Sequence, residues 1–588
     1  MALHLVAHYL YDLLLRGGGV RDISPRQRML GQRGGEIMTV KKIICMAVTA
    51  VSAGLFLAGL SVAGGHTPPN QVRIDSGALQ GSVEEGVAVF RGIPYAAPPV
   101  GDLRWRPPQP VAPWEGVRQA TEYGHVCPQK LGSYPDWADA HFQAAGLDED
   151  CLVLNVWAPA KRSGLLPVMF YIHGGNMQYG SGSMPLYDGH VLAREDVVLV
   201  VINYRLGYLG RFVHPAMTRL QADEPLANYG VFDQIAALEW VQRNIEQFGG
   251  DPNRVTIFGH SAGGVSVNIL MTTPQSKGLF HGAIAQGSGI LLDATQHAFK
   301  AGPPGPSQRS REEYGEDFVE YFEIEADSDE ALVAALRAMP WEPMVQYQSD
   351  RQVPFNPVVD EVVVADHVAR VFERGEQHDV PYIGGANSWE WNQIADIPLI
   401  GKWFLGGALI DGLSDEDLAI FDDQWTRIGL SQRWFSEGLF LSSTRYLGKQ
   451  MANVSSPAWI YHTMYINENL RGEIPGSVHG LEMPFVFGNV REHPEFQRPA
   501  EATQWPATEQ DLAWGDTVRG YWLNFAKTGN PNGPGLPEWP EYRPDTDLTQ
   551  VFDVEFAPQA GLNKEVMDFL EARALIRRQE FESVQAQN

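Results

Sequence analysis

Gly259-His260-Ser261-Ala262-Gly263 constrains the fold of this chain more than any other segment. The pentapeptide follows Val255-Thr256-Ile257-Phe258, a β-branched and aromatic run with strand character, and precedes a helix-compatible stretch from Gly264 to Leu270. A chain passing from strand to helix over so few residues must turn sharply, and small residues on both sides of the serine leave room for that turn. The turn lifts Oγ to the tip of the strand and aims the helix N-terminus at negative charge developing beside it. A glycine-rich turn carrying an ordinary serine is the plain alternative.

The surroundings favour the sharper reading. Leu152–Val156, Val168–Ile172, Val197–Asn203 and Val255–Phe258 are nearly continuous apolar runs, as expected for strands buried on both faces. Between the last two, Ile235, Leu238, Val241, Ile245 and Phe248 recur at helical spacing from Asp233 to Phe248, stopped by Gly249-Gly250-Asp251-Pro252. Strands alternating with helices predict an α/β, doubly wound, mostly parallel sheet with helices on both faces. Gln71 to Gly92 alternates as hairpin strands do, and Pro94 to Pro113 reads as a proline-rich surface connection. Gln296–Pro354 and Ile397–Ser455 read as helical insertions over the carboxyl edge of the sheet, above the active site.

A formal charge of -27 argues against nucleic acid, because phosphate binding needs clustered Lys and Arg. The N-terminus is read separately from the fold. Lys41-Lys42, the apolar stretch Ile43–Leu60 and the small-residue site Ser61-Val62-Ala63 form a secretory signal over 38–63. Met38 stands where a natural start would, so residues 1–37 read as an upstream extension. Cleavage near Ala63 would leave 64–588 as one exported domain, secreted or periplasmic, with no stable membrane anchor. Beyond the leader two cysteines remain, Cys127 and Cys151, and an even pair in an exported chain points to a disulfide. The loop it closes, about 25 residues, is worth roughly 3.5 kcal/mol in the loop-entropy model.

Acyl transfer by a serine needs a nucleophile, a base, an acid that orients the base, and donors for the oxyanion. Ser261 supplies the first. A second strand-turn motif, Tyr171-Ile172-His173-Gly174-Gly175-Asn176, offers a glycine-rich loop at the end of Val168–Ile172. The amide of Ala262, directly after the serine, completes the donor set, and one such donor is worth about 3 kcal/mol of barrier. Among 16 histidines, His479 stands out in Gly476-Ser477-Val478-His479-Gly480, C-terminal to the serine and flanked by glycines. No cysteine, histidine and aspartate set with zinc spacing and no G-x-G-x-x-G after a strand is present, so no metal or cofactor is expected.

From about Val72 to Tyr542 the chain resembles the type-B carboxylesterases, α/β hydrolases that include carboxylesterases, cholinesterases and some lipases. The blocks that carry the resemblance are Phe90–Ala96, Glu149–Val156, Asn203-Tyr204-Arg205-Leu206-Gly207, Phe248–Pro252, the serine turn, His479-Gly480 and Asn524–Gly529. The resemblance implies an α/β-hydrolase fold and hydrolysis of a small-molecule carboxylic ester by a Ser-His-Glu triad. It places the acid at Glu390, in Gly385-Ala386-Asn387-Ser388-Trp389-Glu390, with Asp360 and Glu361 as alternatives. It also implies the Cys127–Cys151 bridge, a structural Arg104–Glu149 pair, and oxyanion amides from Gly174-Gly175-Asn176 and Ala262.

Four positions depart from the usual pattern. His260 stands where glutamate is common, Asn176 where a third glycine is frequent, Gly287 where serine often follows Gln286, and Trp391 where glycine follows the acid. A histidine at 260 lowers the negative potential beside the nucleophile, which disfavours choline esters. A neutral His479 acting as base predicts that kcat/KM falls below about pH 6 to 7. Two rivals share the fold: the same machinery turned to acylglycerols, amides or carbamates, and a non-catalytic binding protein.

Overall fold

The structure, a computed structural model, describes residues 68–585 except 133–135, 222–226, 290–297, 300–308, 352, 354–356, 391–413, 415–416, 418, 422–431 and 491–506. The upstream extension 1–37, the secretory signal 38–63, Trp391 and parts of both insertions therefore lie outside the described residues.

Strand and helix alternate through the middle of the chain, and the strands assemble into two sheets. In the smaller, β1 (Gln71–Ile74) pairs antiparallel with β2 (Gly77–Gln80), which pairs parallel with β5 (Val117–Gln119). The larger begins with β3 (Ser82–Glu84), β4 (Val87–Pro94), β6 (Val153–Pro159), β7 (Leu166–Ile172) and β8 (Val198–Ile202). It continues with β9 (Gly250–His260), β10 (Gly282–Gln286), β11 (Tyr382–Asn387), β12 (Ala458–Thr463), β13 (Leu548–Phe552) and β14 (Phe556–Ala560). Their order across the sheet is β14-β13-β12-β11-β10-β9-β7-β8-β6-β4-β3. Every pairing from β8 to β13 is parallel; the antiparallel ones lie at the two edges.

Successive side chains feed opposite faces, which is why these strands read as unbroken apolar runs. Val168, Phe170 and Ile172 join Val198, Val200 and Ile202 on one face, under the helices Tyr229–Asn244 and Ala262–Leu270. Met169 and Tyr171 join Leu199 and Val201 on the other, under Met483–Phe487 and Glu509–Thr528. The strand order reverses at β7, which lies between β8 on one side and β9 on the other. In open α/β sheets, the crevice beyond the carboxyl ends of strands at such a reversal is where ligands bind.

Several boundaries differ from the sequence reading. The helix expected from Asp233 begins at Tyr229, and its final turn tightens to a 3-10 helix, Ile245–Phe248, stopped by Gly249 at φ 85°. The strand before the serine extends back to Gly250, because Gly250 pairs with Leu166 before an irregularity that ends where Val255 meets Val168. The Gln71–Gly92 hairpins divide between the two sheets. The connection from Pro94 to Pro113 is not wholly on the surface. Trp105 is fully buried and donates its indole N–H to the Tyr208 carbonyl at 2.9 Å.

That connection also carries Arg104, whose Nε donates to Glu149 Oε2 at 2.8 Å while a second N–H meets Glu149 Oε1. The same guanidinium reaches the carbonyls of Met339 at 2.7 Å and Leu336 at 3.3 Å. Close by, Cys127 and Cys151 form a disulfide, with their Cα atoms 5.1 Å apart. No helix among the described residues is long and apolar enough to cross a membrane.

Candidate active site

Ser261 occupies the turn between β9 and the helix Ala262–Leu270, with φ 58° and ψ -123°. A side chain held there is strained, and the turn is packed mainly against backbone. A β-carbon on Gly259 would come within 2.5 Å of the Gly263 backbone, and one on Gly263 would collide with the Ile172 carbonyl oxygen. On Gly264 it would stand 2.7 Å from the Gln286 carbonyl oxygen, which accepts the Ser261 N–H at 2.8 Å. The turn is thus wedged between the ends of β7 and β10, which only glycine allows.

The loop after β7 lies against the serine. A β-carbon on Gly174 would approach the His260 carbonyl oxygen to 2.7 Å and Ser261 Cβ to 3.1 Å. Gly175, Asn176 and Met177 all take positive φ, and the Gly175 carbonyl accepts from Gln178 and Tyr179, each at 2.9 Å. Among the described residues, the N–H groups of Gly175, Asn176 and Ala262 donate to no protein acceptor. Behind the loop, His173 stacks on Tyr204 with ring centroids 4.5 Å apart, and the Tyr204 hydroxyl donates to the His173 carbonyl at 2.9 Å. Sequence reasoning did not single out this support, because an aromatic that directly follows an apolar strand run reads as core.

Glu390 follows β11 and is fully buried. The Asn387 N–H donates to its Oε1 at 2.7 Å, and His479 Nδ1 meets its Oε2 in a short hydrogen bond. Two loops are joined to bring this about. The Trp389 N–H donates to the Ser477 carbonyl at 2.8 Å, and the Ser477 N–H donates to Ser388 Oγ at 2.9 Å. The ring of His479 lies 4.3 Å from that of His260 and 5.6 Å from that of Phe440. His479 is thereby placed against the residue that precedes the serine. The Ser261 hydroxyl itself makes no hydrogen bond to a described protein group, and such contacts often tighten only with substrate bound.

Burial disfavours charge on both members of the pair. It holds His479 below the ordinary histidine range, at about 4, with the Glu482 charge opposing. It pushes the Glu390 carboxyl upward, against the pull of the Asn387 amide. His479 is therefore neutral near pH 7.

Asp360 and Glu361 are not brought to His479. Asp360 accepts from Asn228 Nδ2 at 2.7 Å and from the amides of Val362, Val363 and Val364, an arrangement that caps its own loop. A buried carboxylate that the sequence reading missed does stand near: Glu482 takes hydrogen bonds from Asn387 Nδ2 at 2.9 Å, and from Gln286 Nε2 and the Tyr461 hydroxyl at 3.3 Å each. Its signal was a lone acid in the apolar segment Leu481-Glu482-Met483-Pro484-Phe485.

The sequence profile of the Carboxylesterase family matches residues 68–401 and 421–570 of this chain. The chain belongs to the carboxylesterase family. Among curated carboxylesterase relatives, the fumonisin B1 esterase of Sphingopyxis macrogoltabida is 33% identical over 87% of this chain and 93% of its own length. The para-nitrobenzyl esterase of Bacillus subtilis (strain 168) is 32% identical over 82% and 94%. A solved Geobacillus stearothermophilus carboxylesterase superposes with a TM-score of 0.71 at 30% identity, covering 86% of this chain and all of that one. The chain therefore has the α/β-hydrolase fold that its motifs imply, and it is a carboxylic ester hydrolase.

Proposed function

We propose that this carboxylesterase cleaves its ester in two steps through an acyl-enzyme on Ser261. His479 removes the hydroxyl proton as Oγ attacks the acyl carbon, and the oxyanion is held by the amides of Gly175, Asn176 and Ala262. Glu390, bonded to Nδ1, fixes the tautomer that leaves Nε2 as the base and stabilises the imidazolium as it forms. His479 then protonates the leaving alcohol. A water deprotonated by the same imidazole attacks the acyl carbon, and the carboxylic acid departs as Ser261 regains its proton.

One observation carries this reading: a neutral imidazole, clamped to a buried carboxylate, faces a strained serine turn beside three backbone donors without protein acceptors. An alkyl fluorophosphonate should label Ser261 in folded protein and leave heat-denatured protein unmodified. Ser261→Ala should lose both labelling and turnover of short aryl esters while keeping its fold. Turnover that survives this substitution would reject the assignment.

We also propose that the chain acts after export, cleaved near Ala63. The Cys127–Cys151 disulfide supports this, since such bridges persist in oxidising compartments. N-terminal sequencing of protein recovered outside the cytoplasm tests the cleavage site.

A further inference from the structure

The residue before the nucleophile has a role that the triad does not absorb. We propose that His260 is a positioning residue, an uncharged wedge that sets the rotation of the His479 ring so that its Nδ1 meets Glu390. The inference rests on the ester-hydrolase reading above.

Three observations support it. The two imidazole rings lie 4.3 Å apart at an interplanar angle of 48°, so His260 bounds one face of His479, while Phe440 stands edge-on at 5.6 Å. Second, His260 Nε2 is sealed from solvent and meets no partner among the described residues, so no hydrogen bond seen there fixes the ring. Contact does. Third, two glycines make the space. A β-carbon on Gly480 would stand 2.9 Å from His260 Cε1. One on Gly287, at φ 52°, would stand 3.3 Å from His260 Nε2 and 3.2 Å from His479 Cε1. The glycine at 287, where serine is frequent in the family, and the histidine at 260, where glutamate is frequent, thus belong to one packing arrangement.

The charges facing this pair are few. Glu390 meets His479 directly; Glu482, which accepts from Tyr461, acts on both imidazoles through space. Burial keeps His260 uncharged, pushed down to about 3, and the neighbouring His479 disfavours a second positive charge. When His479 becomes an imidazolium during turnover, His260 remains neutral. Among the described carboxylates, Glu390 and Glu482 then face the imidazolium, without the one that a glutamate at 260 would add.

The test compares His260→Gln, His260→Ala and His260→Glu in the full chain, with kcat, KM and the pH profile measured on one neutral aryl ester. The glutamine keeps an uncharged planar wedge and should hold kcat and the acid midpoint near parental values. The alanine leaves the His479 face open and should lower kcat by about tenfold or more with KM little changed. The glutamate places a carboxylate against His479 and should raise the acid midpoint of kcat/KM by about one pH unit or more. That shift reports only that residue 260 faces the base; the positioning role is decided by kcat of the alanine variant against that of the glutamine variant. If the alanine variant keeps parental kcat, or the glutamate variant keeps the parental midpoint, the proposal is overturned. Should the alanine variant fail to fold, His260→Asn, an uncharged planar group one methylene shorter than the glutamine, should show the same fall in kcat, and parental kcat there overturns the proposal. Parental turnover and its loss in Ser261→Ala report separately on the hydrolase reading.

Discussion

Asn387 joins the two buried carboxylates of the site: its side-chain amide donates to Glu482 Oε2 at 2.9 Å while its backbone N–H donates to Glu390 Oε1 at 2.7 Å. The Asn387 amide also donates to the Val478 carbonyl at 2.6 Å, one residue before His479. Both ends of the His479–Glu390 contact are therefore held by one residue, through its backbone at Glu390 and its side chain at the His479 loop. Asn387→Ala and Glu482→Gln should each lower kcat by about tenfold, with KM nearly constant, because they loosen the base rather than the substrate. The double variant should cost less than the product of the two, since the residues share a network. Steady-state kinetics of the three proteins checks this, and a pure KM effect would contradict it.

The acid limb of the rate profile should lie lower than an ordinary histidine would give. Burial depresses His479 from 6.5 to about 4, while the Glu482 charge opposes that shift. Only neutral imidazole serves as base, so kcat/KM should hold steady down to about pH 6.5 and decline with a midpoint between there and 4. The expectation of a fall below 6 to 7, made from an unperturbed histidine, moves down accordingly. A profile measured with folding monitored in parallel would contradict the argument if its midpoint lay above 7.

The glycines of the serine turn should separate folding from catalysis. Gly263→Ala drives a methyl group into the Ile172 carbonyl, backbone against backbone, and should abolish soluble expression. Gly174→Ala brings the new methyl to 2.7 Å from the His260 carbonyl and 3.1 Å from Ser261 Cβ. That variant should fold, with a melting temperature a few degrees lower at most, yet lose about a hundredfold in kcat as the amide donors shift. Thermal melts and kinetics of both variants provide the comparison.

Reducing the disulfide should cost stability without touching the chemistry. Cys127 and Cys151 are separated by 24 positions, and loop entropy assigns their bridge roughly 3.5 kcal/mol. The double serine variant should show that loss by chemical denaturation while retaining kcat. A matching fall in kcat would mean that the bridge also shapes the site.

How much of this was readable beforehand follows from range. The strand-turn-helix around Ser261 was legible because its causes are local: β-branched residues, then glycines, then helix formers. The parallel sheet was legible from runs buried on both faces. The approach of Glu390 to His479 was not written locally; it came only through family resemblance, since the contact spans 89 positions and rests on a zip between two loops. Glu482 was missed for a related reason: a lone acid in an apolar segment gains meaning only once Asn387, Gln286 and Tyr461 converge on it. The burial of Trp105 was hidden by its prolines, which mark surface turns on average but say nothing of an indole tucked beneath them.

The Arg104 guanidinium has a consequence for the order of events during synthesis. Its carboxylate partner lies 45 positions downstream, but its carbonyl acceptors belong to Leu336 and Met339, 232 and 235 positions away. While the chain is emerging, the cation can meet Glu149 early yet must stay hydrated until more than half of the 588 residues exist. That flank of the enzyme is accordingly finished late, closing over a sheet whose first strands were made long before it.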